Sequence, residues 1–405
     1  MSFSNLSVEI TNSLTKKDKK IHGIFFTPPE VIKNNVDFLK NGGFLKNDTI
    51  VLEPSCGSCE YISEIKNYKL QSIKAIEFNK TIYDKIKHLE EEIDNLSIDN
   101  IDFLNYTPIK TPTLIIGNPP YFVMKKANVS SDYYNYFNGR PNIFILFIIK
   151  SLKILAVDGI LSFILPKNFL NCSYYNETRE YIYNTFKIID INVCENGTYL
   201  DTQQPTIRFI VQKTKYNNES FVIKNLLPKF TIFNTSENIL ELNKLYENSQ
   251  SLNDLGFKVS VGNVVWNQCK NILTNDNSKT RLIYSSDIKN NNLIIANFKN
   301  PEKKNYINKP GINDMLLITN RGYGKGKYTF NCCIVDINES YLLENHVIYV
   351  KYTKEIEKKE LKIKYETIIK SFNTKNTQKF IELYIGNSAL NTTELSHILP
   401  IYNCN

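Results

Sequence analysis

Apolar positions in the first half of the chain fall into short runs separated by longer segments of helical period. "PPEVIKNNVDFLKNGG" opens on prolines, spaces Val31, Ile32, Val36 and Leu39 near one helical face, and stops on glycines, so it predicts a helix. "DTIVLEPSCGS" reads as a β-branched strand ending at Glu53 in a turn of small residues, with the next helix starting at about Glu60. "SIKAIEF" is a second strand with an acidic residue near its carboxyl end, "TIYDKIKHLEEEI" a single helix, and "TPTLIIG" a third strand. "NIFILFIIKSLKILAVDG" is an apolar helix closed by Asp158-Gly159, followed by the fully apolar strand "ILSFILP". Short apolar strands alternating with helices predict an α/β fold, a mostly parallel sheet with helices on both faces. Such sheets bind ligands outside the carboxyl ends of their strands. The residues able to do chemistry fall at those ends.

The second half reads differently. "SENILELNKLYENSQSLNDLG" looks like a helical connector, and 405 residues is long for one domain. Two domains are expected, 1–235 and 236–405, the second of mixed α/β type. The formal charge of +8 is uneven, because residues 216–405 carry 24 Lys and Arg against 18 Asp and Glu. Within 277–330 there are ten basic residues against three acidic, interleaved with Tyr284, Phe298, Tyr306, Tyr323 and Tyr328. Cations with aromatics between them suit a nucleic-acid backbone and its bases, although a lysine-rich surface has the same composition. In "ITNRGYGKGKYTF", Arg321 is a candidate for a bidentate guanine contact and Lys325 and Lys327 for phosphate contacts. A hairpin turn with solvated lysines reads equally well there. "LSHILPIY" is apolar enough to pack a core.

Other classes fall away. No apolar run approaches membrane-spanning length, and "MSFSNLSVEITNSLTKKDKK" lacks the apolar segment of a signal peptide. The eight cysteines are scattered, which suits a reducing compartment: the cytoplasm, or the nucleus or a viral factory in a eukaryotic or viral source. The four histidines stand far apart, and Cys56 and Cys59 form one CxxC without a second, so turn packing is expected and no metal site.

The strand ends describe a ligand. The turn Ser55-Cys56-Gly57-Ser58 lets backbone approach a bound molecule, yet it has neither GxGxxG nor a terminal Gly-Lys-Ser/Thr. With Glu53 at the strand end, phosphate is disfavoured and an amine-bearing ligand favoured. Glu77 stands where an acidic side chain would take ribose hydroxyls, and Asp102-Phe103 offers a carboxylate for an amino group beside a ring for stacking. Taken singly, Glu53 could be a helix-capping carboxylate, Glu77 a turn residue and Asp102 an N-cap. Together they describe an adenosine site without phosphates and with a cationic tail, which S-adenosylmethionine matches. Last comes "LIIGNPPYF". Pro119 and Pro120 end the strand and stiffen the loop, so that the amide of Asn118 and the ring of Tyr121 are presented to something flat that donates hydrogen bonds.

The set "FFTPPEVI", "VLEPSCGS", "AIEF", "DFL", "IIGNPPYF" and "ILSFILP", in that order, resembles the gamma-class adenine-N6 DNA methyltransferases of the TaqI type over about residues 20–215. The resemblance implies a Rossmann-like methyltransferase sheet plus a C-terminal target-recognition domain. Thr27, Glu53, Ser55 and Gly57 would then hold the methionine end of S-adenosylmethionine, Glu77 the ribose, Asp102 the adenine amino group and Phe103 its ring. Asn118 and Pro119 would grip the target amine, with Pro120 stiffening the loop and Tyr121 stacking on a flipped adenine. Tyr199 in "NGTYLDTQQPTIRFIV" falls where a second aromatic would cover that base, or is loop packing. The family usually has a glycine where this chain has Cys59. The implied partner is double-stranded DNA, with a separate cognate restriction nuclease, since no nuclease cluster is present in the chain. Two other readings stay open: a methyltransferase acting on RNA or protein glutamine, and a non-catalytic nucleic-acid-binding module.

Overall fold

The computed structural model describes residues 3–194, 199, 204–215, 218–224, 230–320, 330–384 and 390–402. Arg321, Lys325 and Lys327 lie outside the described residues. The chain divides into two compact units, residues 1–239 and 240–405.

The first unit is built on seven strands: β1 (Ile50–Glu53), β2 (Ser72–Ile76), β3 (Leu96–Asp99), β4 (Leu114–Gly117), β5 (Ile160–Pro166), β6 (Lys187–Val193) and β7 (Thr206–Gln212). They lie in the order β3-β2-β1-β4-β5-β7-β6, with β1 to β5 parallel and β7 antiparallel to both its neighbours. The helices are α1 (Asn5–Ser13), α2 (Lys16–His22), α3 (Pro29–Asn41), α4 (Glu60–Ile65), α5 (Lys80–Ile86), α6 (Leu89–Glu92), α7 (Ile143–Ile154) and α8 (Asn176–Thr185). Because side chains alternate across a strand, neighbouring apolar residues serve opposite cores. Leu52 and Ile115 pack with Phe144, Ile145 and Ile148 of α7, whereas Val51, Leu114 and Ile116 pack with Val31, Ile32 and Val36 of α3. This is why "LIIG" and "ILSFILP" are apolar throughout: every residue of both strands is buried. The result is the Rossmann-like methyltransferase sheet with helices on both faces.

Two elements differ from expectation. "TPTLIIG" is the fourth strand, because β3 precedes it. That strand is four residues long and alternates apolar Leu96 and Ile98 with polar Ser97 and Asp99, too little to stand out from a loop. "TIYDKIKHLEEEI" breaks into α5 and α6 at Lys87-His88. Ile82 and Ile86 anchor α5, but α6 buries no side chain that would hold it in line.

The second unit is mixed α/β. Phe257–Val261, Val347–Tyr352, Leu316–Asn320 and Cys332–Val335 form an antiparallel four-stranded sheet, and four shorter strands form a second. Helices Lys358–Phe372 and Lys375–Tyr384 follow. Ile283, Leu316, Ile318, Val335, Tyr341 and Val347 share one core, and Leu395, Ile398, Leu399 and Ile401 of the terminal apolar segment are buried. Among the described residues no helix is long and apolar enough to cross a membrane.

Candidate active site

Three segments meet outside the carboxyl ends of β1, β2 and β4. The Gly117 backbone at φ +150° lies where a side chain is strained, although an added Cβ would meet only ordinary contacts. That glycine turns the chain out of β4 and delivers Asn118-Pro119-Pro120-Tyr121. At Gly23, in the left-handed region with φ +63°, a Cβ would come within 2.6 Å of the Tyr121 nitrogen. Residues 23–27 therefore lie directly on the proline loop. The Asn118 amide donates to the Phe25 carbonyl (3.2 Å), and the Ser55 hydroxyl donates to the Asn118 carbonyl (3.2 Å). These contacts frame a cleft whose walls include Thr27, Glu53, Ser55, Gly57, Glu77, Asn118 and Pro120.

The cleft is acidic. Glu53 is 2% exposed, and its Oε2 has no hydrogen-bond partner. Burial drives its carboxyl well above the usual range, and the charges of Cys59, Glu77 and Glu60 add to the effect. Glu77 accepts from the Gly57 N–H through Oε2 (3.0 Å) and from the Asn79 N–H through Oε1 (2.7 Å). Burial raises it to about 7 against the pull of those two bonds. An orphaned carboxyl oxygen in a buried wall calls for a donor, and a second carboxylate excludes phosphate. An adenosine with a cationic amino-acid tail fits such a wall: its ammonium can satisfy Glu53 and its ribose hydroxyls can donate to Glu77.

The remaining predicted residues stand outside the cleft lining. Asp102 caps the short turn after β3, its Oδ1 accepting from the Leu104 N–H at 2.9 Å, the ordinary role considered for it. Phe103 is 1% exposed and packs 4.9 Å from Phe147 of α7, so its ring belongs to the core. Pro119 is buried. The Tyr121 ring packs edge-on against Phe144 (5.9 Å, 81°), and its hydroxyl lies 2.5 Å from Asn118 Oδ1 and 2.7 Å from the Ile164 carbonyl. Burial and the neighbouring Tyr199, Cys194 and Tyr61 push its pKa well above the usual phenol range, so the phenol stays neutral and donates. Tyr199 is buried beside it, its hydroxyl 3.1 Å from Thr206 Oγ1.

Three features escaped the sequence. Phe78, next to Glu77, is 63% exposed, an aromatic face at the end of β2 that the motif "AIEF" itself could have flagged. The α1 helix reaches the cofactor turn: Ser7 Oγ lies in hydrogen-bond contact with Ser58 Oγ at 2.6 Å, and the Ser4 and Ser7 hydroxyls both donate to the Glu60 carboxylate. The polar sequence of α1 carries no sign of this. Finally, Cys59 adopts φ +61°, ψ 30° at the start of α4, the left-handed conformation that a glycine takes without strain.

Comparison with known proteins agrees with this geometry. The Eco57I restriction-modification methylase family matches residues 33–199. The type II methyltransferase M.CvrRI of Paramecium bursaria Chlorella virus XZ-6E is 26% identical over 99% of both chains. The modification methylase CviBIII of Paramecium bursaria Chlorella virus NC1A is likewise 26% identical over 99% of both. Among solved structures, the type IIG restriction endonuclease BpuSI aligns with a TM-score of 0.45 at 12% identity, covering 98% of this chain and 61% of that one. The end-to-end likeness to the two viral enzymes, together with a cleft suited to its cofactor, supports an S-adenosylmethionine-dependent DNA methyltransferase similar to those of restriction-modification systems.

Proposed function

We propose that the chain methylates the N6 amine of adenine at a specific site in double-stranded DNA, as a gamma-class enzyme. The observation that carries this reading is the placement of Asn118 in the wall of the cofactor cleft, tied to Ser55 and Phe25. When bound, S-adenosylmethionine supplies an electrophilic methyl group on a sulfonium. Residues 1–235 hold it, with Thr27, Ser55 and Gly57 along its tail, Glu77 at its ribose and Asp102 at its adenine, while Phe103 backs the site from the core. Residues 236–405 read the DNA.

The adenine amine is a poor nucleophile because its lone pair is delocalised into the ring. Asn118 Oδ1 and the Pro119 carbonyl each accept one N–H, which draws the nitrogen toward tetrahedral geometry and frees the lone pair for in-line attack. That demands positioned acceptors more than a strong base. Prolines suit the task, because they fix the loop and add no competing N–H. A paired base cannot reach this loop, so the adenine is flipped out at a cost of a few kcal/mol. Stacking on Tyr121 and Tyr199, on the order of 1–3 kcal/mol per base, offsets it.

The test is base-resolved modification sequencing of unmethylated DNA after incubation with protein and cofactor. N6-methyladenine at one recurring motif is expected, and Asn118→Ala should remove the mark while cofactor binding stays intact. Cytosine methylation, or label accepted only by RNA or protein, would overturn the reading.

A further inference from the structure

Between Tyr121 and α7 the chain makes an excursion, residues 122–142, that the cofactor and acceptor roles leave unused. Its two ends are pinned together beside the active-site loop. The Met124 N–H bonds the Pro141 carbonyl (2.8 Å), the Ile143 N–H bonds the Phe122 carbonyl (3.0 Å), and Val123 pairs with Asn142. The excursion is ordered by its own packing: Val129 and Phe137 are buried in the core, and the Thr178 hydroxyl donates to the Tyr136 carbonyl at 2.6 Å. It is a built platform rooted at Tyr121.

Its charge is one-sided. Lys125, Lys126 and Arg140 are exposed, against the single carboxylate of Asp132, and none of the three forms an ion pair among the described residues. Beyond the pairing of Met124 with Pro141, Lys125 and Arg140 are the next residues on the two sides of the neck. Lys126 is steered without being neutralised, its ammonium lying 4.5 Å from the Tyr134 ring centroid and 6.0 Å from that of Phe137. Three free cations at the rim of a site that takes a flipped base match the phosphates on either side of that base.

We infer that Lys125, Lys126 and Arg140 clamp the sugar–phosphate backbone flanking the target adenine, so that the catalytic unit holds duplex DNA by a surface of its own. The inference rests on the DNA reading above. Its chemistry is counterion release: each phosphate neutralised steepens the dependence of affinity on salt by about 0.9 in the log–log slope. The contacts carry no base specificity, so they set affinity and leave the recognition motif unchanged.

The experiment measures binding of duplex DNA against salt, together with steady-state methylation, for the full chain. The triple variant Lys125→Ala/Lys126→Ala/Arg140→Ala is compared with Lys46→Ala/Lys66→Ala/Lys69→Ala, which removes equal charge at the amino-terminal end of the sheet. The first should flatten the slope by about 2.7 and raise the KM for DNA on the order of tenfold, with kcat, motif and cofactor affinity unchanged. The second should do neither, and arginine at 125 and 126 should restore most of the slope. Equal slopes in both triple variants would overturn the inference. A parent enzyme that leaves DNA unmarked would instead defeat the reading beneath it, so the two failures are distinguishable.

Discussion

The Tyr121 hydroxyl has one proton and two acceptors, Asn118 Oδ1 and the Ile164 carbonyl. In the proposed reaction the target amine takes the Asn118 oxygen, so without substrate the hydroxyl can occupy that oxygen, and it keeps a second acceptor on displacement. Tyr121→Phe removes the competitor but leaves the Ile164 carbonyl without its donor. Stability should fall by about 1–3 kcal/mol while the stacking face survives, so turnover should stay within about tenfold of the parent. Denaturant melts and kcat measurements check this; a thousandfold loss of kcat would make the hydroxyl itself catalytic. Glu77 adds a pH dependence. Its folded value of about 7 lies above the usual carboxyl range, because burial disfavours the charge. For this group the protonated form favours folding, so its contribution is full below about pH 4.5 and is lost as pH rises through 7. In its proposed role Glu77 must be ionised to accept from ribose hydroxyls, so cofactor affinity should run the other way, weakening by up to about tenfold per unit below pH 7. Calorimetry from pH 5.5 to 8 should show this trend, and Glu77→Gln should weaken binding and flatten it.

At the scale of the element, the turn from β1 into α4 carries its strain at Cys59, whose positive φ costs a side-chain-bearing residue about 1 kcal/mol or more. In a helix interior alanine is more stable than glycine by nearly 1 kcal/mol. Here the order should reverse: Cys59→Gly and Cys59→Ala both lose the buried sulfur, but only glycine relieves the backbone. Thermal melts should place the glycine variant above the alanine one by about 1 kcal/mol, and alanine above glycine would mean that the turn is unstrained. The same turn marks what was readable beforehand. Strand ends, the Pro-Pro stop and the Glu53, Glu77 and Asn118 positions were legible because burial and proline act locally along the chain. The strand Leu96–Asp99 and the break after Ile86 were not, and for Asp102 the sequence left cap and ligand equally open, since neighbouring elements decide them. Phe103 makes the point clearly: "DF" reads the same whether the ring faces a ligand or, as here, meets Phe147 in the core.

In the whole molecule, each unit has hydrophobic clusters of its own. Those of the first draw on β1 to β7 and their helices, and those of the second on Ile283, Leu316, Val335 and Val347 in one cluster and Val264, Leu282 and Ile307 in another. Two such units, each large enough to unfold cooperatively, need not melt together. Among the described residues the cofactor cleft is lined from Gly23 to Pro120, all in the first unit, so cofactor should stabilise that unit. At a hundred times its Kd that amounts to about 2.7 kcal/mol, or a rise of roughly 5–10 °C for a unit of this size. Scanning calorimetry of the full chain should resolve two transitions, with S-adenosylmethionine moving one and leaving the other in place. Duplex DNA should act differently. Cations are in excess over residues 216–405 and at the neck of the 122–142 excursion, so low-salt DNA should raise both transitions and added salt should erase the shift in both. If DNA moved only the second transition, the catalytic unit would not hold the duplex itself, and the phosphate clamp inferred at Lys125, Lys126 and Arg140 would be overturned.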